Sequence, residues 1–231
     1  MFQREPTVLA LLRQVALFHT LDEAGLHQAA ALLKEQHYRK GDVIFHQGEP
    51  GGCLYLIGSG RVRVYLCGAD GREVTIRIYG AGSHVGEFSV LDGAPRSAST
   101  SAITNVTTYV LYRDDFLHLL NTSTTLVQRL LAHLTERLRY TTTYSEHLAF
   151  LSTPQRVAAT LAQLAGLEGA APGPVRLELT QNDLAALVCA TRESVNHALR
   201  DLADQRLIRI ERGAVVVLDR AALQRLPDRG Q

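Results

Sequence analysis

Apolar and polar positions change rhythm several times along this chain, and each change marks an element. From about residue 7 to residue 38, Val8, Leu11, Leu12, Val15, Leu26, Ala29, Ala30 and Leu33 recur at helical spacing, which predicts an N-terminal helical segment. From Lys40 the rhythm shortens. Val43-Ile44-Phe45, Leu54-Tyr55-Leu56-Ile57, residues 61–66 and residues 73–78 are short β-favouring runs. Gly48, Gly51-Gly52, Gly58, Gly60, Asp70-Gly71 and Gly80 separate them. Asp70-Gly71 predicts a hairpin turn. Alternation of Arg61 and Arg63 with Val62 and Val64 predicts one wet and one buried face. Ala102-Ile103 and residues 106–111 continue the series. Many short, evenly spaced strands read as a barrel or jelly roll.

A long helical segment follows, from about Thr124 to Leu151. Its stripe is Val127, Leu131, Leu134, Leu138, Thr141, Ser145 and Leu148. Steps of four and three make a heptad seam, which usually buries itself against a copy of itself. Thr141 and Ser145 are polar within the seam. They either fix the register of a dimer or, for Thr141 and its neighbour Thr142, face a ligand. Ser152-Thr153-Pro154 ends this helix and starts another over residues 154–166, with the proline at its first position. A loop is expected at residues 169–174.

Residues 179–199 then read as two helices joined by a sharp turn at Cys189-Ala190. Thr180 is a good N-cap, with Asp183 favouring the positive helix end, and Leu184, Leu187 and Val188 form the stripe. Thr191 caps the second helix, whose stripe is Val195, Ala198, Leu199 and Leu202. That helix opens with Arg192, Glu193 and Asn196, side chains that can reach base edges in a major groove. A plain helical hairpin would carry the same pattern. Residues 207–218 read as a hairpin turning at Arg212-Gly213, which makes the second half a winged helix. The fold class is therefore α+β, divided at 1–123, 124–151 and 152–231.

Composition narrows the reading. The chain has 231 residues, enough for two small domains, and 24 basic against 23 acidic residues. Nucleic-acid binding would need a local basic face rather than a global charge. Cys53, Cys67 and Cys189 are far apart, without metal-binding spacing, and read as small core residues. No metal site is expected. The start, Met1 to Pro6, lacks a secretory core, and no run is apolar enough for a membrane span, so the expectation is a cytoplasmic protein with no membrane partner. Neither HExxH, GxSxG nor GxxxxGK is present, which argues against an enzyme.

The densest chemistry lies between Val85 and Ala98. Arg96 offers a planar fork of donors for phosphate oxygens, and Ser97 adds a neutral donor. Glu87 can accept from a ribose hydroxyl, and Gly86 permits close backbone approach. Together they suit a ligand with a phosphate and a sugar diol. A surface turn with an ordinary ion pair fits the loop alone equally well.

The ordered set resembles the bacterial cyclic AMP receptor protein and fumarate–nitrate regulator (Crp/Fnr) superfamily. The likeness runs from the β-roll through Gly86-Glu87, Arg96-Ser97, the long helix and Leu148-Ala149-Phe150-Leu151 to the winged helix, nearly the whole chain. It is strongest to the cyclic AMP receptor protein branch. The resemblance implies a cyclic-nucleotide-binding β-roll, a dimerisation helix and a DNA-binding domain. Gly86 and Glu87 would hold the ribose 2′-hydroxyl, and Arg96 and Ser97 the cyclic phosphate. Thr141 and Thr142 would meet the adenine amino group, one from each subunit, and Arg137 would brace Glu87. The implied DNA contacts are Thr180, Gln181, Thr191, Arg192, Glu193, Asn196 and His197, with Arg192 and Glu193 reading bases.

Cyclic AMP is thus the implied ligand, and double-stranded DNA, RNA polymerase and a second copy of the chain are the implied partners. The polymerase is expected near His37 and residues 168–174. Two features depart from the family pattern. His197 stands where arginine is usual, and Asn196 where a small residue is usual. The absence of cysteine before Cys53 excludes the iron–sulfur branch. No axial ligand for a haem stands out, and His84 and the other histidines are expected to be surface or structural residues. A regulator controlled only by its abundance, or a sensor acting on a protein partner, would share this architecture.

Overall fold

The computed structural model describes residues 4–167 and 173–226. The expected loop at 169–174 falls mostly outside the described residues, as do residues 1–3 and 227–231. The chain divides into two compact units, residues 1–139 and 140–231, with the division inside the long helix.

The first unit contains α1 (Arg4–Gln14), α2 (Glu23–Leu32), β1 (Lys34–Tyr38), β2 (Val43–Phe45), β3 (Cys53–Ser59), β4 (Arg61–Cys67), β5 (Glu73–Gly80), β6 (His84–Val85), α3 (Glu87–Asp92), β7 (Ser99–Ala102), β8 (Val106–Tyr112), α4 (Arg113–Thr122) and the start of α5 (Thr124–Phe150). Two four-stranded antiparallel sheets form, ordered β1-β8-β3-β6 and β2-β7-β4-β5. Side chains from both sheets meet in one core: Tyr55, Ile57, Val85 and Val110 from the first, Phe45 and Val62 from the second. The other face of the first sheet carries Leu54, Leu56 and Leu111. It packs against Leu12, Phe18, Phe116 and the buried Leu126 and Leu130 of α5. This is the expected β-roll.

Four local details differ from the sequence expectation. Residues 34–38 are not helical; they form β1, paired with β8 from Lys34↔Val110 to Tyr38↔Val106. The helical stripe stops at Leu33, and the charged run beyond it suits an edge strand, where charge deters further pairing. The Gly86–Ser97 loop contains the short helix α3. Helix α4 had a readable signal that the sequence reading did not use: Asp114 and Asp115 in its first turn, and Phe116 and Leu119 buried three residues apart. The alternation in β4 also breaks. A bulge between Val64 and Tyr65 buries Tyr65 and turns Leu66 outward.

Helix α5 occupies the expected span, but its seam is not uniform. Leu134 packs against the core of its own unit, whereas Leu131 and Leu138 are 59% and 68% exposed. None of the cysteines is fully buried: Cys67 is exposed, and Cys53 and Cys189 are half-buried free thiols. The expectation of a small core residue fails for Cys67, whereas Cys53 packs at the edge of the β-roll core.

The second unit contains α6 (Thr153–Leu167), β9 (Val175–Leu177), α7 (Gln181–Leu187), α8 (Arg192–Asp204), β10 (Ile208–Glu211), β11 (Ala214–Val217) and α9 (Arg220–Arg225). Ser152 precedes α6, and both its N–H and its hydroxyl donate to Gln155 Oε1 at 2.9 Å, so Pro154 occupies the second helical position rather than the first. The hairpin turns at Gly213, whose φ is +72°, and β9 adds a third strand to it. Helix α6 packs against α8 and α9. Leu161, Leu184, Val195, Leu199 and Leu223 are fully buried.

Arg156 fastens two chain ends in this unit. Its Nη1 donates to the Leu151 carbonyl at 2.7 Å, just past α5, and its Nε to the Val188 carbonyl at 2.9 Å, just past α7. A guanidinium at two helix C-termini satisfies carbonyls that have no helical partner and complements both dipoles. Hydrogen bonds from a charged donor contribute about 1.5–3 kcal/mol each. No helix among the described residues is long and apolar enough to cross a membrane.

Candidate ligand pocket and nucleic-acid interface

The geometry of the pocket begins at Gly86, which caps α3 in the left-handed region, with φ +90°. A Cβ there would lie 2.5 Å from Arg96 Nη1 and 3.3 Å from the Cys53 carbonyl oxygen. The glycine is required by the arginine beside it as much as by the turn. Arg96 itself is buried. Its Nη1 donates to the Gly86 carbonyl at 2.8 Å and to Ser89 Oγ at 2.9 Å, and its Nη2 to the Cys53 carbonyl at 2.7 Å. The Phe45 ring lies 4.3 Å from the guanidinium carbon, a cation–π contact. Only Nε lacks a hydrogen-bond partner among the described residues.

Gly86, Glu87, Ser89, Arg96, Ser97 and Arg137 line one cavity, with Phe45 and Val64 on its apolar wall. The structure thus brings together five of the seven residues expected at a ligand site. Thr141 and Thr142 lie on α5 within the second unit and are exposed. About 50 Å³ of the cavity is open to water. Small-molecule pockets commonly measure about 300–1,000 Å³, so a nucleotide requires this cavity to widen. Arg96 is held inward by its carbonyl partners, while Ser97 is exposed at the rim.

Glu87 is almost fully buried. Burial raises its pKa, and the charge of Arg137 opposes that rise. Arg137 Nε lies 3.1 Å from Glu87 Oε1 but directs its single proton at His133 Nε2, 3.0 Å away. Its Nη2 donates to the His84 carbonyl at 2.9 Å. The brace expected between Arg137 and Glu87 is therefore an ion pair without an aligned hydrogen bond. His84 is buried rather than superficial, at 2% exposure, and its ring lies 4.2 Å from that of His133 between centroids. Burial, reinforced by neighbouring charge, holds the pKa of His84 well below its usual value and that of His133 at about 4. The sequence reading missed His133 and Ser89. His133 had a signal, because it lies one helical turn before Arg137 on the same face.

In the second unit, Thr180 forms a capping box: its Oγ1 accepts from the Asp183 N–H at 3.1 Å, and Asp183 Oδ2 accepts from the Thr180 N–H at 2.9 Å. Thr191 Oγ1 accepts from the Ser194 N–H at 3.2 Å. Cys189, at φ +50°, makes the sharp turn between the helices. Arg192 Nε reaches Gln181 Oε1 at 3.4 Å, so the two side chains sit together at the opening of α8. Arg192, Glu193 and His197 are exposed. Asn196 is half-buried, and its Oδ1 is enclosed without a partner among the described residues. His197 Nδ1 pairs with Asp201 Oδ2 at 3.0 Å, which leaves Nε2 as its outward atom. Arg200 is exposed one turn past Asn196 and extends this face beyond the residues expected from sequence.

A β-roll with a polar cavity, a long helix and a winged helix-turn-helix together define a transcription regulator of the Crp type. The cyclic nucleotide-binding domain family matches residues 35–123, and the Crp-like helix-turn-helix domain family matches residues 155–226. The chain belongs to the Crp/Fnr superfamily of DNA-binding transcription regulators. It is 34% identical over 218 residues to the CRP-like cAMP-activated global transcriptional regulator of Mycobacterium tuberculosis, covering 93% of this chain and 97% of that one. It is also 34% identical over 212 residues to the cyclic AMP receptor protein of Thermus thermophilus, covering 91% and 95%. Among solved structures, the c-di-GMP-responsive global regulator CLP of Xanthomonas campestris is similar with a TM-score of 0.75 at 25% identity, covering 85% of this chain and 99% of that one.

Gly86 and Gly93 give an internal comparison. Both have positive φ, but at Gly93 the nearest atom to an added Cβ is Arg113 Nη2 at 3.8 Å. Gly93→Ala should cost only left-handed strain, about 1–2 kcal/mol. Gly86→Ala should cost more, because Arg96 must also give way. Denaturant melts of the two variants test this, and equal losses would show that Arg96 imposes nothing on Gly86.

Proposed function

We propose that the chain is a homodimeric, cyclic AMP-responsive regulator that binds pseudo-palindromic DNA sites and acts on transcription by RNA polymerase. The observation that carries this reading is the convergence of Gly86, Glu87, Arg96, Ser97 and Arg137 on one cavity. The phosphate would engage Arg96 and Ser97 after Arg96 leaves its carbonyl partners, and Glu87 would accept from the ribose hydroxyl. Thr141 and Thr142 would meet the base from the two subunits. Exposed Leu131 and Leu138 on α5 suit burial against a second copy. The names of the cAMP-activated relatives support the choice of ligand. RNA polymerase as a partner rests on the family alone.

One observation favours a second reading. Protein groups already occupy most donors of Arg96, and the cavity is small, as suits a regulator that works without a ligand. Calorimetry with cyclic AMP, cyclic GMP and cyclic di-GMP, alongside a DNA shift assay with and without each, separates the readings. Cyclic AMP should bind and tighten DNA binding. Full DNA affinity with no measurable nucleotide binding would favour the second reading.

Arg96→Lys is the sharper variant, because it keeps the charge but loses the fork. A charge-assisted contact contributes about 1.5–3 kcal/mol, so cyclic AMP affinity should fall more than about tenfold. Unchanged affinity would remove Arg96 from the site.

On the DNA side, Arg192 suits guanine O6 and N7, and Glu193 can accept from cytosine N4. His197 Nδ1 is held by Asp201, so its one outward nitrogen can make a single contact. His197→Arg should sharpen preference at one half-site position by about 1–3 kcal/mol if a bidentate guanine contact forms. Selection from random DNA with both proteins checks this. An unaltered base preference would mean that residue 197 does not face the bases.

A further inference from the structure

Beside the ligand cavity, inside the first unit, three potential metal ligands are short of hydrogen-bond partners. His84, Glu87 and His133 each place one ligand atom within 4.8 Å of the others. His133 Nε2 and Glu87 Oε1 are 3.9 Å apart. His84 Nε2 is buried and has no hydrogen-bond partner among the described residues, and the same holds for Glu87 Oε1 apart from its ion pair. Arg137 Nε donates to His133 Nε2 at 3.0 Å. Two imidazoles and one carboxylate thus lie within reach of a single ion, with Glu87 and His84 buried and His133 partly exposed beside the cavity. Buried polar atoms in native proteins are usually satisfied, so this deficit calls for a missing partner.

We propose that His84, Glu87 and His133 form a binding site for a divalent transition-metal cation of the zinc class. Two imidazoles and one carboxylate suit zinc, cobalt or nickel rather than calcium or magnesium, which favour all-oxygen shells. Zinc bonds to nitrogen and oxygen measure about 2.0–2.2 Å, so the cluster needs a contraction of under about 1.5 Å to reach a tetrahedral edge. Three protein ligands leave a fourth position open. Imidazoles ligate a metal in their neutral form, so zinc uptake should weaken as pH falls.

Arg137 is the built-in competitor. Its Nε lies 3.0 Å from His133 Nε2 and 3.1 Å from Glu87 Oε1, so a positive group already occupies the edge of the proposed site. A divalent ion would displace the guanidinium and satisfy all three ligand atoms together. The site does not depend on the nucleotide reading, because its residues and geometry stand without one.

The test uses the full chain, stripped with a chelator and held without nucleotide. Zinc is titrated against a chelating dye, and cobalt absorption reports coordination geometry. One zinc ion per chain is expected, with a tetrahedral cobalt spectrum. His84→Ala and His133→Gln should each weaken zinc by at least about a hundredfold, the upper end of the loss when an outer-shell partner is removed. Arg137→Gln should strengthen it, an outcome that a purely structural role for the cluster does not produce. His133 is partly exposed, so His133→Gln preserves the test should His84→Ala fail to fold, and circular dichroism checks both. A wild-type chain that takes up no zinc, or one whose uptake is unchanged in His84→Ala and His133→Gln, would overturn the proposal.

Discussion

The first unit depends on a buried carboxylate held by a buried cation. Glu87 sits at the start of α3, the turn that opens the cavity, and Arg137 sits near the end of the segment of α5 that packs on the β-roll. Their ion pair at 3.1 Å fixes one against the other. Burying either charge alone would cost several kcal/mol, so neither residue tolerates loss of its partner. Arg137 also donates to the His84 carbonyl and lies 4.6 Å from the Tyr79 ring, so β5, β6 and α3 all register on one guanidinium. Whatever engages Glu87 therefore acts on α5 through a contact inside a single compact unit.

Arg96 is a second buried cation with a different arrangement. Among the described residues no carboxylate pairs with it; backbone carbonyls, a serine hydroxyl and an aromatic face hold it. Arg96 also acts electrostatically on Glu87, which lines the same cavity, so the two charges share one low-dielectric site. The cost of extracting Arg96 from those carbonyls would set against the gain from a phosphate. Under the proposed reading, ligand charge would matter more than apolar area at this pocket.

Much of this architecture was legible in the sequence. Glycine-separated apolar runs marked β2 to β5, the four-three stripe marked α5, and Thr180 and Thr191 marked the starts of α7 and α8. What escaped depended on tertiary partners. Lys34 to Tyr38 has no strand signature of its own and becomes β1 by pairing with β8. Leu134 and Leu138 look equivalent in the heptad pattern, yet one packs on the unit's own core and the other is exposed. At the pocket, the loop chemistry identified Arg96 and Glu87 but not that Arg96 turns inward. His84 and His133 are 49 positions apart in number, and no local pattern announces that their rings come within contact of each other and of Glu87.

Glu87 and Arg137 act as one unit joining the cavity to α5. A double-mutant cycle on the chelator-treated full chain tests it, using Glu87→Gln, Arg137→Gln and the pair, with urea stability as the readout. Residues in direct contact within one charge network commonly couple by about 0.5–3 kcal/mol, and burial places this pair in the upper half of that range. The coupling energy should be at least about 1.5 kcal/mol, with the double variant more stable than the sum of the single losses implies. Additivity within about 0.3–0.5 kcal/mol would contradict it and would make the 3.1 Å approach a proximity without energetic consequence.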